Sequence, residues 1–329
     1  MSTQPITIHD VHAARERLRP YLPPTPLRHY RALDTAVGSD IRVLVKHENH
    51  QPTNAFKVRN ALAVITSMSA EQKRRGIVAA TRGNHGQALA WAGELLGVPV
   101  TVCVPHGNNP EKNAAVRGFG AELIEEGRDY DESIEVAQKL VVERGMHMVH
   151  AANDRQVIAG AATITHEVFE QATLQGEKLD AIVVAIGGGA HAVGALIVAH
   201  SQHPDLPVYG VQADHASTIH DSWHAGKPVT GSSMATIADG LATRSCYELT
   251  FPALREGLHG FVTVSEAEIT ESLRILLRTT HNLVEGAGAA PLAGVRKLAS
   301  ELAGKTVAVF LTGGNIDEAT LRAVIHPRS

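Results

Sequence analysis

Short apolar runs rich in Val, Ile and Ala alternate along this chain with longer stretches whose apolar residues return every three or four positions. Runs of the first kind, bounded by Gly, Pro, Asn and Asp, are the pattern of strands buried on both faces. Stretches of the second kind are the pattern of the helices that cross between them. Strands are predicted at residues 42–46, 76–80, 98–104, 121–124, 148–150, 181–186, 208–212 and 306–311. Helices are predicted at 8–18, 58–65, 87–96, 110–119, 130–144, 158–171, 193–200, 266–282 and 288–301. Pro110 suits the first turn of its helix, behind the cap-forming Asn108 and Asn109. The alternation places the chain in the α/β class, with mostly parallel sheets flanked by helices. Residues 201–245, richer in Gly, Ser, His and Pro, resist assignment. No appended regulatory domain is expected after the last strand.

A length of 329 residues fits either one large α/β unit or two domains sharing a cleft. The formal charge of −4 provides no basic footprint for nucleic acid and no cationic face for a membrane. Cys103 falls inside an apolar run and is expected as a buried core thiol, and with only Cys246 besides there is neither a disulfide framework nor a zinc quartet. The first twenty residues hold no apolar h-region and no run is long enough for a bilayer, so a cytoplasmic location is expected by default. Histidine is abundant, but none has the HExxH spacing. His220 and His224 are expected on a surface turn rather than at a metal.

Four segments carry candidate chemistry, and three of them follow predicted strands, where ligands bind in open α/β sheets. In the segment from Pro52 to Asn60, Lys57 opens a helix behind a polar loop. A helix N-terminus disfavours a cation, and condensing the amine with an aldehyde removes that difficulty; the plainer reading is a solvated lysine. The segment Thr81-Arg82-Gly83-Asn84-His85-Gly86-Gln87 offers a hydroxyl and backbone amides at a helix start, a carboxylate cradle or an ordinary capped loop. In Gly187-Gly188-Gly189-Ala190-His191, glycines let amides approach an anion ahead of a helix. Gly187, Gly189 and Ala192 also satisfy a dinucleotide pattern, with Asp214 about where a ribose partner would stand, so a nicotinamide-dependent oxidoreductase stays open here. The segment Thr312-Gly313-Gly314-Asn315 is a hydroxyl and two glycines, or a tight turn.

Together and in order, these segments resemble the fold type II pyridoxal-phosphate (PLP) enzymes, specifically the threonine/serine dehydratase and serine racemase family. The resemblance rests on Thr25-Pro26-Leu27, Phe56-Lys57-x-Arg59, Gly83 to Gln87, Val157-Ile158-Ala159-Gly160, Gly187 to Gly189, Thr236-Ile237-Ala238-Asp239-Gly240 and Gly313-Gly314-Asn315. It runs from about Pro24 to Asp317. It implies two α/β domains with PLP in the cleft: a discontinuous large domain of residues 1–68 and 151–329, and a small mobile domain of residues 69–150. It implies a homodimer, a small amino-acid substrate, and a dehydratase or ammonia-lyase that turns a β-hydroxy amino acid into a 2-oxo acid and ammonia. β-Replacement, racemisation and a non-catalytic binding protein are the alternatives.

The implied roles transfer residue by residue. Lys57 would carry PLP as a Schiff base and act as the base at Cα. Phe56 would pack on the ring, Asn84 would meet the ring hydroxyl, and Thr312 would face the ring nitrogen. Gly187, Gly188, Gly189, Ala190 and His191 would cradle the phosphate, and Glu285 would lie near the cofactor. Thr81, Arg82, Gly83, Asn84 and His85 would meet the substrate, chiefly its carboxylate. Several positions depart from the family pattern, among them Asn54 and Ala55 before Phe56, Asn60 after Arg59, and Ala190 and His191 in the phosphate loop. Arg82 stands where serine racemase has its serine acid–base, and a guanidinium does not serve as a base near neutral pH, so little racemisation is expected. Arg82 either widens preference towards 3-hydroxyaspartate or phenylserine, or points to solvent. The family's divalent-cation positions fall on Gln212, Ala216 and Thr218 without their acids, so no metal is expected there.

Overall fold

The computed structural model of the chain describes residues 3–231 and 233–326. In chain order its strands are β1 (Leu27–His29), β2 (Arg42–Lys46), β3 (Ile77–Ala80), β4 (Val100–Val104), β5 (Glu122–Glu125), β6 (His147–Met148), β7 (Ala181–Ala185), β8 (Val208–Ala213), β9 (Gly260–Val264) and β10 (Thr306–Phe310). They form a six-stranded sheet in the order β1-β2-β10-β7-β8-β9 and a four-stranded sheet in the order β5-β4-β3-β6. Only β1 runs antiparallel to its neighbour; the other pairings are parallel. The chain is thus α/β, as the alternation predicts. β10, the last strand, inserts between β2 and β7, pairing Thr306 with Arg42 and Val307 with Ala181. This insertion brings the segments that follow β2, β7 and β10, which carry Lys57, Gly188 and Thr312, to one end of the sheet.

β7 and β8 are buried at every position, which is why neither alternates: β7 is wholly apolar, and in β8 the buried Gln212 spends its side-chain oxygen on backbone amides. The helix Lys57–Ser67 packs between the helices Asn84–Leu96 and Arg155–Leu174. Its approach to the second depends on Gly160, where a Cβ would lie 2.5 Å from the Arg59 carbonyl oxygen. Cys103 is a fully buried free thiol.

Several local expectations are corrected. β1 and β9 have no counterpart among the predicted strands: β1 has three residues, and β9 starts on a glycine inside a mixed segment. The helices Arg31–Val37, Ala70–Arg75, Thr218–Ala225, Phe251–Gly257 and Glu318–Ile325, six to eight residues each, are too short for periodicity to declare them. His220 and His224 lie on the helix Thr218–Ala225 rather than a turn, with ring centroids 4.4 Å apart. Gln212 caps the first turn of that helix: its side-chain oxygen accepts from the amides of Ile219 at 3.2 Å and His220 at 3.0 Å. β6 ends at Met148, so His150, expected in a strand, belongs to the loop beyond it.

Candidate active site

Lys57 is the first residue of the helix Lys57–Ser67. The loop before it is joined to the loop after β10: the Phe56 amide donates to the Thr312 carbonyl at 3.0 Å, and Ala55 bridges Gly313. Lys57 Nζ lies 3.4 Å from the Ala151 carbonyl oxygen and 4.8 Å from the centre of the Phe56 ring. Enclosure by protein lowers its pKa to about 8, against the opposing pull of the Glu285 carboxylate. With no carboxylate in contact, and at a helix N-terminus, this amine sheds its proton more readily than a solvated lysine and is the better nucleophile for it.

β7 leads through Gly187–Gly189 into the 13-residue helix Ala190–Gln202, and Gly189 caps that helix with φ of 91°. A Cβ on Gly187 would overlap the Gly240 carbonyl oxygen, and one on Gly188 would overlap the methyl of Ala152. The loop therefore presents bare backbone, and the first-turn amides have no carbonyl partner in their own helix. That is an anion cradle. The His191 ring is buried between Phe56 and Phe310, at centroid distances of 5.4 and 4.6 Å, with neither nitrogen hydrogen-bonded. Burial lowers its pKa to about 4, so it is neutral at neutral pH.

The third wall starts at β3. The Gly83 amide donates to Thr81 Oγ1 at 3.3 Å, leaving the Thr81 hydroxyl proton for another acceptor. Asn84 opens the helix Asn84–Leu96, and its Nδ2 donates to both oxygens of Glu285 at 2.8 and 3.0 Å. Its Oδ1 accepts from Asn315 Nδ2 at 2.8 Å, and Asn315 also donates to the Thr53 carbonyl at 2.9 Å. Burial raises the pKa of Glu285, with the Asn84 hydrogen bonds opposing it. His85 is buried, its Nε2 3.4 Å from the Val149 carbonyl oxygen, and burial lowers its pKa to about 3. Arg82 is exposed at the rim.

One cavity of about 350 Å³ unites these parts. Phe56, Lys57, residues 81–85, residues 187–191, Glu285 and Thr312 all line it, so every residue to which the resemblance gives a cofactor or substrate role reaches the same space, while Asp214 and Asn315 do not line it. The sequence did not point to Lys112, Tyr130, His150 or Tyr247, which complete the walls. Lys112 Nζ meets Asp239 Oδ2 at 2.6 Å.

The group implied by the resemblance has an aldehyde, an anionic phosphate and an aromatic ring bearing a nitrogen and a hydroxyl. The cavity offers an amine with a lowered pKa, a loop of backbone amides whose three glycines leave no room for a Cβ against the neighbouring walls, the Phe56 ring, and the polar side chains of Asn84 and Thr312. The residues fit the group.

Comparison with known proteins agrees with this geometry. Residues 18–313 match the family model described as pyridoxal-phosphate dependent enzyme. The chain is 38% identical over 317 residues to the L-threonine ammonia-lyase of Geobacter sulfurreducens, covering 96% of this chain and 77% of that protein. It is 34% identical over 309 residues to an L-threo-3-hydroxyaspartate ammonia-lyase of a Pseudomonas species, covering 94% and 95%. A solved threonine deaminase from T.th. superposes with a TM-score of 0.90 at 36% identity, covering 95% of this chain and 99% of that one.

Proposed function

The chain belongs to the family of pyridoxal-phosphate-dependent enzymes, and from that premise we propose that it is an ammonia-lyase that converts a β-hydroxy amino acid to a 2-oxo acid and ammonia. Threonine, serine and related 3-hydroxy amino acids form the substrate class. The observation that carries this reading is the convergence of Lys57, the 81–85 loop and the 187–191 cradle on one cavity. The nicotinamide alternative does not survive the family match, and it leaves Lys57 and Asn84 without a role.

When bound, PLP supplies an aldehyde that condenses with an amine and a conjugated ring that draws electron density from the neighbouring carbon. Lys57 would hold the aldehyde, Phe56 the ring face, Asn84 and Thr312 the ring's polar edge, and residues 187–191 the phosphate. Glu285 orients Asn84 through two hydrogen bonds. Thr312 would bring a neutral hydroxyl rather than a carboxylate to the ring nitrogen, so the site would do little to stabilise negative charge on the ring. Expelling a group from Cβ relieves that charge, which favours elimination.

On the substrate, the Thr81 hydroxyl and the amides that open the helix Asn84–Leu96 receive the carboxylate. Lys57 removes the Cα proton; its lowered pKa matches that task near neutral pH. The β-oxygen takes up a proton, balancing the one drawn from Cα, and leaves as water; water then adds to the carbon that bears nitrogen, and ammonia departs. His85 and His191, neutral at neutral pH, add no competing positive charge.

The same reading includes closure of residues 69–150 as a small mobile unit over the substrate, which excludes water. It also includes a homodimer and a cytoplasmic location. Among the described residues no helix is long and apolar enough to cross a membrane. The test is the absorbance spectrum with an oxo-acid assay. A band near ~410 nm, typical of a protonated lysine imine, is expected in the wild type and absent in Lys57→Ala. 2-Oxo acid and ammonia in equal amounts are expected from threonine, serine or 3-hydroxyaspartate without an added nucleophile. Turnover that requires a thiol would point to β-replacement instead.

A further inference from the structure

His150 lies just past β6 and lines the cavity. The loop it begins runs along the reactive amine: Ala151 supplies the carbonyl 3.4 Å from Lys57 Nζ, and the Ala152 methyl abuts Gly188. The loop also sets the protonation of the ring. His150 Nδ1 accepts the amide of Ala152 at 3.0 Å and that of Asn153 at 2.8 Å. A nitrogen that accepts two N–H groups carries no proton, so the neutral ring carries its proton on Nε2. Burial lowers the pKa of the ring, and the Lys57 ammonium adds to the effect, so the neutral form dominates at neutral pH. Tyr247 packs edge-on against the ring at 4.8 Å, holding its plane. The one donor left to this side chain is Nε2–H, on the ring edge away from the loop amides. Capping the loop accounts for Nδ1 but not for an imidazole, since an asparagine caps amides two and three residues on equally well.

We propose that His150 is a specificity-determining residue that presents Nε2–H to the β-oxygen of the substrate, orienting the C–O bond that breaks. It transfers no proton, because a neutral imidazole that gave up Nε2–H would be left as an anion. Its contribution is a fixed hydrogen bond that strengthens as the departing oxygen gains charge. The inference rests on the ammonia-lyase reading and adds to it the residue that recognises the group on Cβ.

The test uses the holoenzyme and its best substrate among threonine, serine and 3-hydroxyaspartate. The matching amino acid without the β-oxygen (2-aminobutyrate, alanine or aspartate) serves as a competitive inhibitor. His150→Asn keeps an acceptor for the loop amides but draws its N–H back to about the level of Nδ1, short of the Nε2 position; His150→Gln carries an N–H out to about the reach of Nε2. In His150→Asn, kcat/KM is expected to fall at least about tenfold, the loss of one hydrogen bond to an oxygen gaining charge. The melting temperature, the cofactor band and the inhibition constant of the deoxy compound should stay at wild-type values, and His150→Gln should recover part of the loss. An active wild type with an unchanged kcat/KM in His150→Asn overturns the inference. So does equal weakening of substrate and deoxy inhibitor, which would mark a purely structural role. A wild-type holoenzyme that releases no oxo acid from any β-hydroxy amino acid overturns the lyase reading, and this inference with it.

Discussion

Arg59 grips Glu48 through two parallel hydrogen bonds, Nε and Nη2 each 2.8 Å from a carboxylate oxygen, with both side chains almost wholly buried. The same guanidinium takes Glu167 at 2.6 and 2.8 Å, and Lys46 Nζ completes the set 2.7 Å from Glu167. Two cations and two carboxylates leave the cluster neutral. Thr25, Gln51, Thr163 and Gln171 satisfy its remaining donors and acceptors. The cluster joins the end of β2 and the turn Glu48–His50 to the helices Lys57–Ser67 and Arg155–Leu174. Arg59 stands two residues beyond Lys57, so the network anchors the helix turn that aims the reactive amine.

Breaking this cluster from one side leaves a buried charge without its partner. Glu48→Gln is expected to destabilise the protein by about 3 kcal/mol, the usual cost of halving a buried ion pair. The Arg59 guanidinium holds Glu48 at a pKa of about 2 against a burial effect that would raise it. Since an unfolded glutamate titrates near 4.5, this stabilisation is complete above that pH and is lost as pH falls through about 2. Denaturation midpoints measured across acid pH should drop in the wild type and change less in Glu48→Gln. Parallel curves would contradict the assignment.

Lys57 should capture its cofactor with an unusual pH dependence. The neutral amine is the nucleophile, and its pKa lies near 8 rather than the 10.5 of a free lysine. In cofactor-free protein the rate of formation of the imine band is therefore expected to rise as pH passes through about 8 and to level off beyond it. A rate that levels only near the ordinary lysine value would show that the amine is solvated.

The glycine cradle has no room for a methyl group. Gly188→Ala is expected to weaken PLP binding at least about tenfold, since the new Cβ must displace Ala152 and the Tyr247 ring from the wall of the proposed phosphate site. Equilibrium dialysis or titration of the imine band measures it, and wild-type affinity would rule out residues 187–191 as the phosphate site.

Arg82, exposed at the rim, bears on selectivity and on stereochemistry. Conversion of L-serine to D-serine is expected to be far slower than ammonia release, because a guanidinium does not take up a proton near neutral pH. Arg82→Ala is expected to keep threonine turnover and to lose it selectively for 3-hydroxyaspartate or phenylserine. An unchanged preference among these substrates would assign Arg82 to solvent.

The α/β class, the long helices and the fourteen lining residues singled out from the sequence are legible for a common reason: each signal is local. β7 is buried on both faces and so is apolar throughout, and β8 is buried likewise with Gln212 as its one polar amide side chain. Gly187 to Gly189 are glycines because bare backbone is needed there, and Lys57 follows a polar loop because it opens a helix. Three-residue β1 and the helix Thr218–Ala225 are not legible, because a period needs several repeats to show. The resemblance gives Asn84 to a ring hydroxyl, but only the folded chain shows its amide held by Glu285 and Asn315.

What the sequence determined by itself is the class of fold and the identity of the groups placed around the cavity, since backbone preference, helix N-termini and glycine openings depend on near neighbours. Tertiary structure alone decided the electrostatics. The Glu48–Arg59–Glu167–Lys46 cluster spans 121 residues of chain between Lys46 and Glu167. The tautomer of His150 depends on amides folded back onto it, and the lowered pKa of Lys57 depends on walls drawn from both sheets. Charge and burial act through space, and no spacing along the chain encodes a distance that folding has yet to create.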